Sequence, residues 1–176
     1  MSGHNKWSKI KHKKAAGDAA KSKVFGKYAR LITLEAKKAG VNKESPGLKA
    51  IIDKARKDNM PNDNIERAIK KATDTNSTVM EDVIYESYGP GGSAIIISGL
   101  TDNRNKAAAE IKHILSKNGC ELATLGSALW AFQKNDSGFE AQTKIPLSDS
   151  DIKKLQSLVE ELEDNDEVQE VFTNVE

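Results

Sequence analysis

The spacing of apolar side chains changes from a helical to a strand pattern between residues 72 and 83. Before this point they recur every three or four residues, and after it short apolar runs alternate with turns. A helical part followed by a mixed part predicts an α+β protein. We expect a flexible basic arm at residues 1–17, a three-helix domain at 18–75 and an α+β domain at 76–176.

The first part predicts three short amphipathic helices. The first is expected to begin with Asp18 as N-cap and to end at Gly40, a residue type that suits a helix stop. The second begins with Ser45 as N-cap and Pro46 at the first helical position. The apolar stripe of the third is Ile65, Ala68, Ile69 and Ala72. Because no such helix buries its apolar face alone, the three should pack together.

The second part predicts five strands and two helices after a polar linker at residues 73–78. The strands are expected at residues 83–88, 94–99, 128–132, 139–145 and 168–173. One helix is expected at 103–117, and Ser148 should cap the other. Without its first strand, this order is the split βαβ arrangement of ferredoxin-like domains. We therefore expect an antiparallel sheet with both helices on one face.

The net charge of +1 hides a strong separation of charge along the chain. Residues 1–75 contain 19 Lys and Arg against 8 Asp and Glu, whereas residues 76–176 contain 8 against 18. A basic half joined to an acidic half is typical of a protein that binds a polyanion with one part. The basic half therefore predicts nucleic acid as a partner, either DNA or ribosomal RNA.

The N-terminal arm carries the strongest binding signal. It holds five lysines around Trp7 and no acidic residue, so lysines can contact phosphates while the indole stacks on a base. A solubilising tail is the alternative. The candidate contact residues in the arm and the first helix are His4, Asn5, Lys6, Trp7, Lys9, Lys11, His12, Lys13, Lys14, Lys21, Lys23, Lys27 and Arg30.

The cations of the basic half are mostly lysines. It has 16 lysines and only Arg30, Arg56 and Arg67 as arginines. Lysine suits phosphates, whereas bidentate recognition of guanine is mainly performed by arginine. This composition favours recognition of backbone and shape over base sequence, although a lysine-rich genome would produce the same bias.

Two segments of the second part form a candidate second anion or RNA contact. The first is the turn Gly89, Pro90, Gly91 and Gly92, which has the glycines of a phosphate cradle but lacks the Gly-Lys-Ser/Thr of a P-loop. Joining two strands is its ordinary role. The second is the helix start Asn103, Arg104, Asn105 and Lys106, where basic residues oppose the helix dipole. An anion bound at that helix start, or a simple N-cap with incidental surface charges, would explain it.

Other signals narrow the class of function. Cys120 is the single cysteine and the three histidines are scattered, so no metal site is expected. No catalytic motif is present, so we expect no enzyme, no cofactor and no small-molecule substrate. No apolar run is long enough to span a membrane and no export signal begins the chain, which predicts a cytoplasmic protein. The acidic run at residues 160–170 is either a solvated face or a surface for a basic partner.

Five motifs together resemble the YebC/PmpR family. They are residues 3–14, residues 18–28, Met60-Pro61, Tyr88-Gly89-Pro90-Gly91-Gly92 and Thr101-Asp102-Asn103-Arg104-Asn105. The resemblance covers nearly the whole chain and implies that the helical domain and arm contact nucleic acid. It implies a transcriptional regulator that binds DNA, or a translation factor associated with the ribosome. Family members usually carry another α/β domain where this chain has only residues 133–138.

We therefore expect a non-enzymatic regulator of gene expression that binds nucleic acid, as a DNA-binding transcriptional regulator. A ribosome-associated translation factor is the first alternative. A protein-interaction module that uses the acidic α+β domain is the second.

Overall fold

The computed structural model describes residues 17–176, which form two compact units. Residues 17–81 form a helical unit, and Asp82–Glu176 form an α+β unit. The α+β fold class is confirmed. Within residues 17–176, no helix has both the length and the hydropathy that crossing a bilayer requires.

The helical unit contains the three predicted helices. They are α1 (Asp18–Lys38), α2 (Pro46–Lys57) and α3 (Asn62–Lys71). The predicted N-cap of α1 is wrong by one residue, because Gly17 occupies that position and Asp18 lies in the first turn, where its charge complements the helix dipole. Gly40 follows α1 with a φ of +58°, a left-handed conformation that glycine adopts without steric cost. The buried core of the unit is formed by Ile32, Ala36, Leu48, Ile52, Ala55, Met60, Ile65, Ala68 and Ile69.

The α+β unit is built on a four-stranded sheet with two helices. Its elements are β1 (Glu81–Tyr88), β2 (Ala94–Thr101), α4 (Arg104–Lys117), β3 (Glu121–Ala123), β4 (Phe132–Asn135), β5 (Gly138–Ala141), α5 (Asp149–Asp164) and β6 (Val168–Thr173). The strand order is β3-β1-β2-β6, with β3 antiparallel to β1 and β6 antiparallel to β2. Because β1 lies between β2 and β3, the β2-α4-β3 connection is a split one.

Both faces of β2 are covered, which explains its uninterrupted apolar run. Ile95 and Ile97 pack with α4 and α5 on one face, as predicted. Ile96 packs on the other face with Phe132 and Phe139 of the β4-β5 hairpin. A strand buried on both faces is expected to be apolar at every position rather than at alternate ones.

The strand predicted at residues 128–132 is wrong. Leu129–Ala131 is a 3-10 turn, and β4 begins at Phe132. The buried Glu86 carboxylate accepts hydrogen bonds from the backbone N–H groups of Ala128 and Leu129, which are therefore not available to a strand ladder. The strand predicted at 139–145 ends at Ala141, and β4 and β5 form a separate two-stranded sheet. The edge strand β3, only three residues long, was not predicted.

Candidate nucleic-acid interface

Four of the predicted contact residues lie on the first half of α1. Lys21 and Lys23 are exposed, and Lys27 and Arg30 are half-buried. Lys23, Lys27 and Arg30 follow one another at helical spacing, so they lie along one side of α1. The nine candidates from His4 to Lys14 lie outside the described residues.

The stretch of α1 that carries these cations contains no acidic residue. Between Asp18 and Glu35 the helix has no carboxylate. Glu35 forms an ion pair of 3.1 Å with Lys38, and Glu66 forms one of 2.7 Å with Lys43. The first half of α1 therefore contains more basic than acidic residues, a composition that favours attraction of a phosphate backbone.

A groove of about 500 Å³ runs between α1 and α3 within the helical unit. One wall is a stripe of α1 formed by Ser22, Phe25, Gly26, Ala29, Arg30 and Thr33. The facing stripe of α3 is formed by Asn64, Arg67, Ala68 and Lys71, and Met60, Ser77, Thr78 and Met80 complete the lining. The groove thus combines an apolar floor with three basic side chains.

The sequence interpretation included Arg30 but missed Arg67 and Lys71. A signal was present, because Arg67 and Lys71 are four residues apart and therefore share a face of α3. Two of the three arginines of the basic half line this groove, and only Arg56 lies elsewhere. That the stripe of α3 faces the stripe of α1 depends on helix packing, which spacing alone does not reveal.

The glycine-rich turn, residues 89–92, packs against residues 147–151 of its own unit. Gly91 has a φ of +66°, and a Cβ at this position would lie 2.5 Å from Leu147 Cδ2 and 3.1 Å from Asp151 Oδ2. The N–H groups of Gly89 and Gly92 already donate to the carbonyls of Ser93 and Gly89, at 2.8 and 3.2 Å. Close packing and a neighbouring carboxylate describe a turn that connects two strands.

The start of α4 is capped by its own side chains. Asn103 Oδ1 accepts a hydrogen bond of 3.0 Å from the backbone N–H of Lys106. Lys106 Nζ lies 3.4 Å from the buried carboxylate of Glu167 and 3.9 Å from that of Glu110. These ion pairs account for a basic residue in the first turn of the helix without a bound anion.

Arg104 and Asn105 are exposed beside this cap. Burial raises the pKa of Tyr85; the Arg104 charge opposes this shift, and the Glu167 charge adds to it. The structure does not bring the helix start and the glycine-rich turn together. They lie at opposite ends of β2, whose eight residues span about 26 Å.

The acidic run at the end of α5 is partly engaged within its own unit. Glu161 accepts hydrogen bonds from Lys117 Nζ at 2.7 Å and from Asn118 Nδ2 at 2.9 Å. The hydrogen bond from Lys117, followed by that from Asn118, lowers the pKa of Glu161. Glu167 is buried and paired with Lys106. Part of this run therefore stabilises the fold.

Two family models match the chain. The model of the TACO1/YebC protein N-terminal domain matches residues 5–75, and the model of the TACO1/YebC second and third domain matches residues 80–137 and 134–175. The chain belongs to the TACO1/YebC family. The family expected from the sequence motifs is thereby confirmed.

Similar TACO1/YebC proteins include two named probable transcriptional regulatory protein. The one from Fervidobacterium nodosum is 38% identical over 235 aligned positions, which cover 99% of this chain and 93% of that protein. The one from Finegoldia magna is 52% identical over 136 positions, which cover 76% of this chain and 56% of that protein. The crystal structure of a conserved hypothetical protein from Aquifex aeolicus superposes with a TM-score of 0.85 at 28% identity, covering 98% of this chain and 97% of that one.

This TACO1/YebC chain is shorter than the first of these relatives at an internal position. The alignment to the Fervidobacterium protein has 235 positions, whereas this chain has 176 residues, so part of that relative has no counterpart here. The two matched segments of the second and third domain model meet at residues 134–137. Residues 134 and 135 end β4, and residues 136 and 137 form the turn to β5, where the resemblance predicted that a domain is absent.

Proposed function

We propose that this TACO1/YebC protein is a non-enzymatic regulator of gene expression that binds nucleic acid through its arm and its helical unit. In its leading form the proposal is a transcriptional regulator that binds DNA, in keeping with the name of its relatives. The observation that carries it is the basic surface of the helical unit, where Lys23, Lys27 and Arg30 on α1 lie beside a groove lined by Arg67 and Lys71. Clustered cations of this kind contribute most of the affinity for phosphate backbones.

Recognition of the backbone rather than of base edges fits the helices of this unit. A helix that enters the major groove presents its side chains to bases and its flanks to phosphates. The helix α3 is the shortest of the three helices, and it exposes Asp63 and Glu66 as well as its basic residues. These carboxylates would be repelled by phosphates. Binding by shape and charge also suits ribosomal RNA, which supports the translation factor as the second candidate.

Competition binding separates the two candidates. The labelled 176-residue chain is mixed with ribosomes, promoter DNA and random DNA at several salt concentrations. A regulator of transcription is expected to stay on promoter DNA when ribosomes are added. Retention on ribosomes in the presence of excess DNA would overturn the transcriptional form of the proposal and favour the translational one.

The role of the acidic run is tested by a separate pair of variants. If the α+β unit were the working surface, removal of residues 1–16 would leave function intact. Replacement of the acidic residues at 160–170 by their amides would then abolish function. Our proposal predicts instead that removal of residues 1–16 abolishes function and that neutralising the acidic run does not. The contacts of Glu161 and Glu167 indicate that part of this run contributes to stability.

A further inference from the structure

We propose that the groove between α1 and α3 binds one unpaired nucleotide of a single-stranded segment. The base would rest on the apolar floor, and the adjoining phosphates would lie against Arg30, Arg67 and Lys71. This inference rests on the proposed function, since it names the part of a nucleic acid that the helical unit recognises.

The chemistry of the groove matches a nucleotide rather than a purely apolar or purely anionic ligand. Phe25 is half-buried in the lining and provides an aromatic surface on which a base can stack. Arg30, Arg67 and Lys71 provide cations from two helices at the same groove. Arginine side chains also bind phosphates through two hydrogen bonds, which fixes their orientation.

The groove has the size of a small-molecule site and carries groups that could contact the edge of a base. Its volume of about 500 Å³ lies within the range of roughly 300–1,000 Å³ that is typical of ligand pockets. Asn64 is half-buried in the lining, and its amide can both donate and accept hydrogen bonds. A base that is paired in a duplex would have to leave its stack to enter such a site, which costs a few kcal/mol.

Gly26 supplies an independent argument that the groove is kept open for a ligand. It lies in the middle of α1, where glycine is less favourable than alanine by about 1 kcal/mol. A Cβ at Gly26 would meet no heavy atom of the described residues within 4 Å, so packing in this part of the chain does not require a glycine there. Close approach of a ligand to the backbone is a reason for a glycine at such a position.

Two variants of the 176-residue chain test the inference, and each has a control variant. Gly26→Leu fills the groove without changing the charge, and Gly26→Ala is its control for helix propensity. Arg67→Gln removes a cation from the groove. Arg56→Gln is its matched control, because Arg56 is also exposed but lies outside the groove on α2. Circular dichroism confirms that each variant is folded before binding is measured.

The probes are one short labelled sequence as single-stranded RNA, as single-stranded DNA and as a DNA duplex. Gly26→Leu is expected to weaken binding of a single strand by about tenfold, the effect of losing one stacked base. Arg67→Gln is expected to weaken it as well, because it removes a cation that contacts a phosphate. The two control variants should bind single strands as the wild type does. Gly26→Leu should leave the affinity for the duplex unchanged, because its charge is unchanged.

The outcomes separate this inference from the proposed function. If the Gly26→Leu variant binds both single strands as tightly as the wild type, the groove does not bind a nucleotide and the inference is wrong. In that case retained duplex binding would leave the proposed function standing. If the wild type binds none of the three probes, the proposed function fails and the inference fails with it.

Discussion

The Thr33 hydroxyl on α1 donates a hydrogen bond of 2.9 Å to the backbone carbonyl of Ala68 on α3. The same hydroxyl lies 2.9 Å from the carbonyl of Ala29 in its own helix. Ala68 belongs to the last turn of α3, where carbonyls lack partners within the helix. Thr33 therefore links the two helices that form the groove and provides a hydrogen-bond donor for the Ala68 carbonyl.

Thr33→Val tests this link. Valine keeps the shape of threonine but removes the hydroxyl, so the unfolding free energy of the helical unit should fall by about 1–2 kcal/mol. Thr33→Ser, which keeps the hydroxyl, should recover part of the loss. Denaturant unfolding followed by circular dichroism provides the measurement. Equal stability of Thr33→Val and wild type would show that the hydrogen bond contributes nothing.

The buried carboxylate of Glu86 holds the segment that precedes β4. It accepts backbone hydrogen bonds from Gly126 at 2.6 Å, Ala128 at 2.7 Å and Leu129 at 3.0 Å. Glu86→Gln turns an N–H donor toward backbone donors, so the α+β unit should lose about 2–3 kcal/mol of stability. Trp130 fluorescence during denaturation reports the transition, and the exposed Glu121→Gln on β3 is the control. A loss no larger than that of the control would contradict the assignment.

The glycine-rich turn contains a matched pair of positions. Gly91 and Gly92 both have a left-handed backbone, with φ of +66° and +77°, but only at Gly91 would a Cβ meet other atoms, chiefly Leu147. Alanine at either position should cost about 1–2 kcal/mol for its backbone conformation. Gly91→Ala should cost about 1 kcal/mol or more beyond Gly92→Ala because of the contact.

The same pair distinguishes a structural turn from a phosphate cradle. If the turn only connects β1 and β2, both alanine variants should bind nucleic acid as the wild type does. Weaker binding by Gly92→Ala, the more stable of the two variants, would support the cradle interpretation instead. Fluorescence anisotropy with labelled DNA and RNA provides the measurement.

Cys120 is expected to be unreactive in the folded protein. Its side chain is 7% exposed, and burial raises the pKa of its thiol. Because the thiolate is the reactive form, a disulfide reagent at pH 8 should modify the folded protein more than about tenfold more slowly than the unfolded chain. The raised pKa also means that stability should fall as the pH rises above the ordinary thiol value of 9.0. Equal rates with and without denaturant would contradict this expectation.

The sequence predicted helices better than strands, for physical reasons that particular residues illustrate. Helix starts depend on local groups: Ser45 and Ser148 both occupy their predicted N-cap positions, and Ser148 also accepts a backbone N–H of its own helix. The segment at residues 128–132 is apolar like a strand, but its conformation depends on Glu86, more than 40 positions earlier. No local pattern contains that contact.

The candidate site was predictable in the same partial way. The basic residues of α1 are evident from composition and spacing. The groove is not, because it requires knowledge of which stripe of α3 faces α1. Only the packing of both helices shows that Gly26, Arg67 and Lys71 line the same groove.

The salt dependence of nucleic-acid binding with and without residues 2–16 tests the central claim most directly. These residues contain five lysines, so their removal should weaken binding and reduce the slope of log K against log salt by about 4.5 for duplex DNA. Binding that remains should come from the helical unit and weaken further when Lys23 and Lys27 are replaced by glutamine. An unchanged affinity and an unchanged slope after the deletion would contradict the claim that the arm and the helical unit bind nucleic acid together.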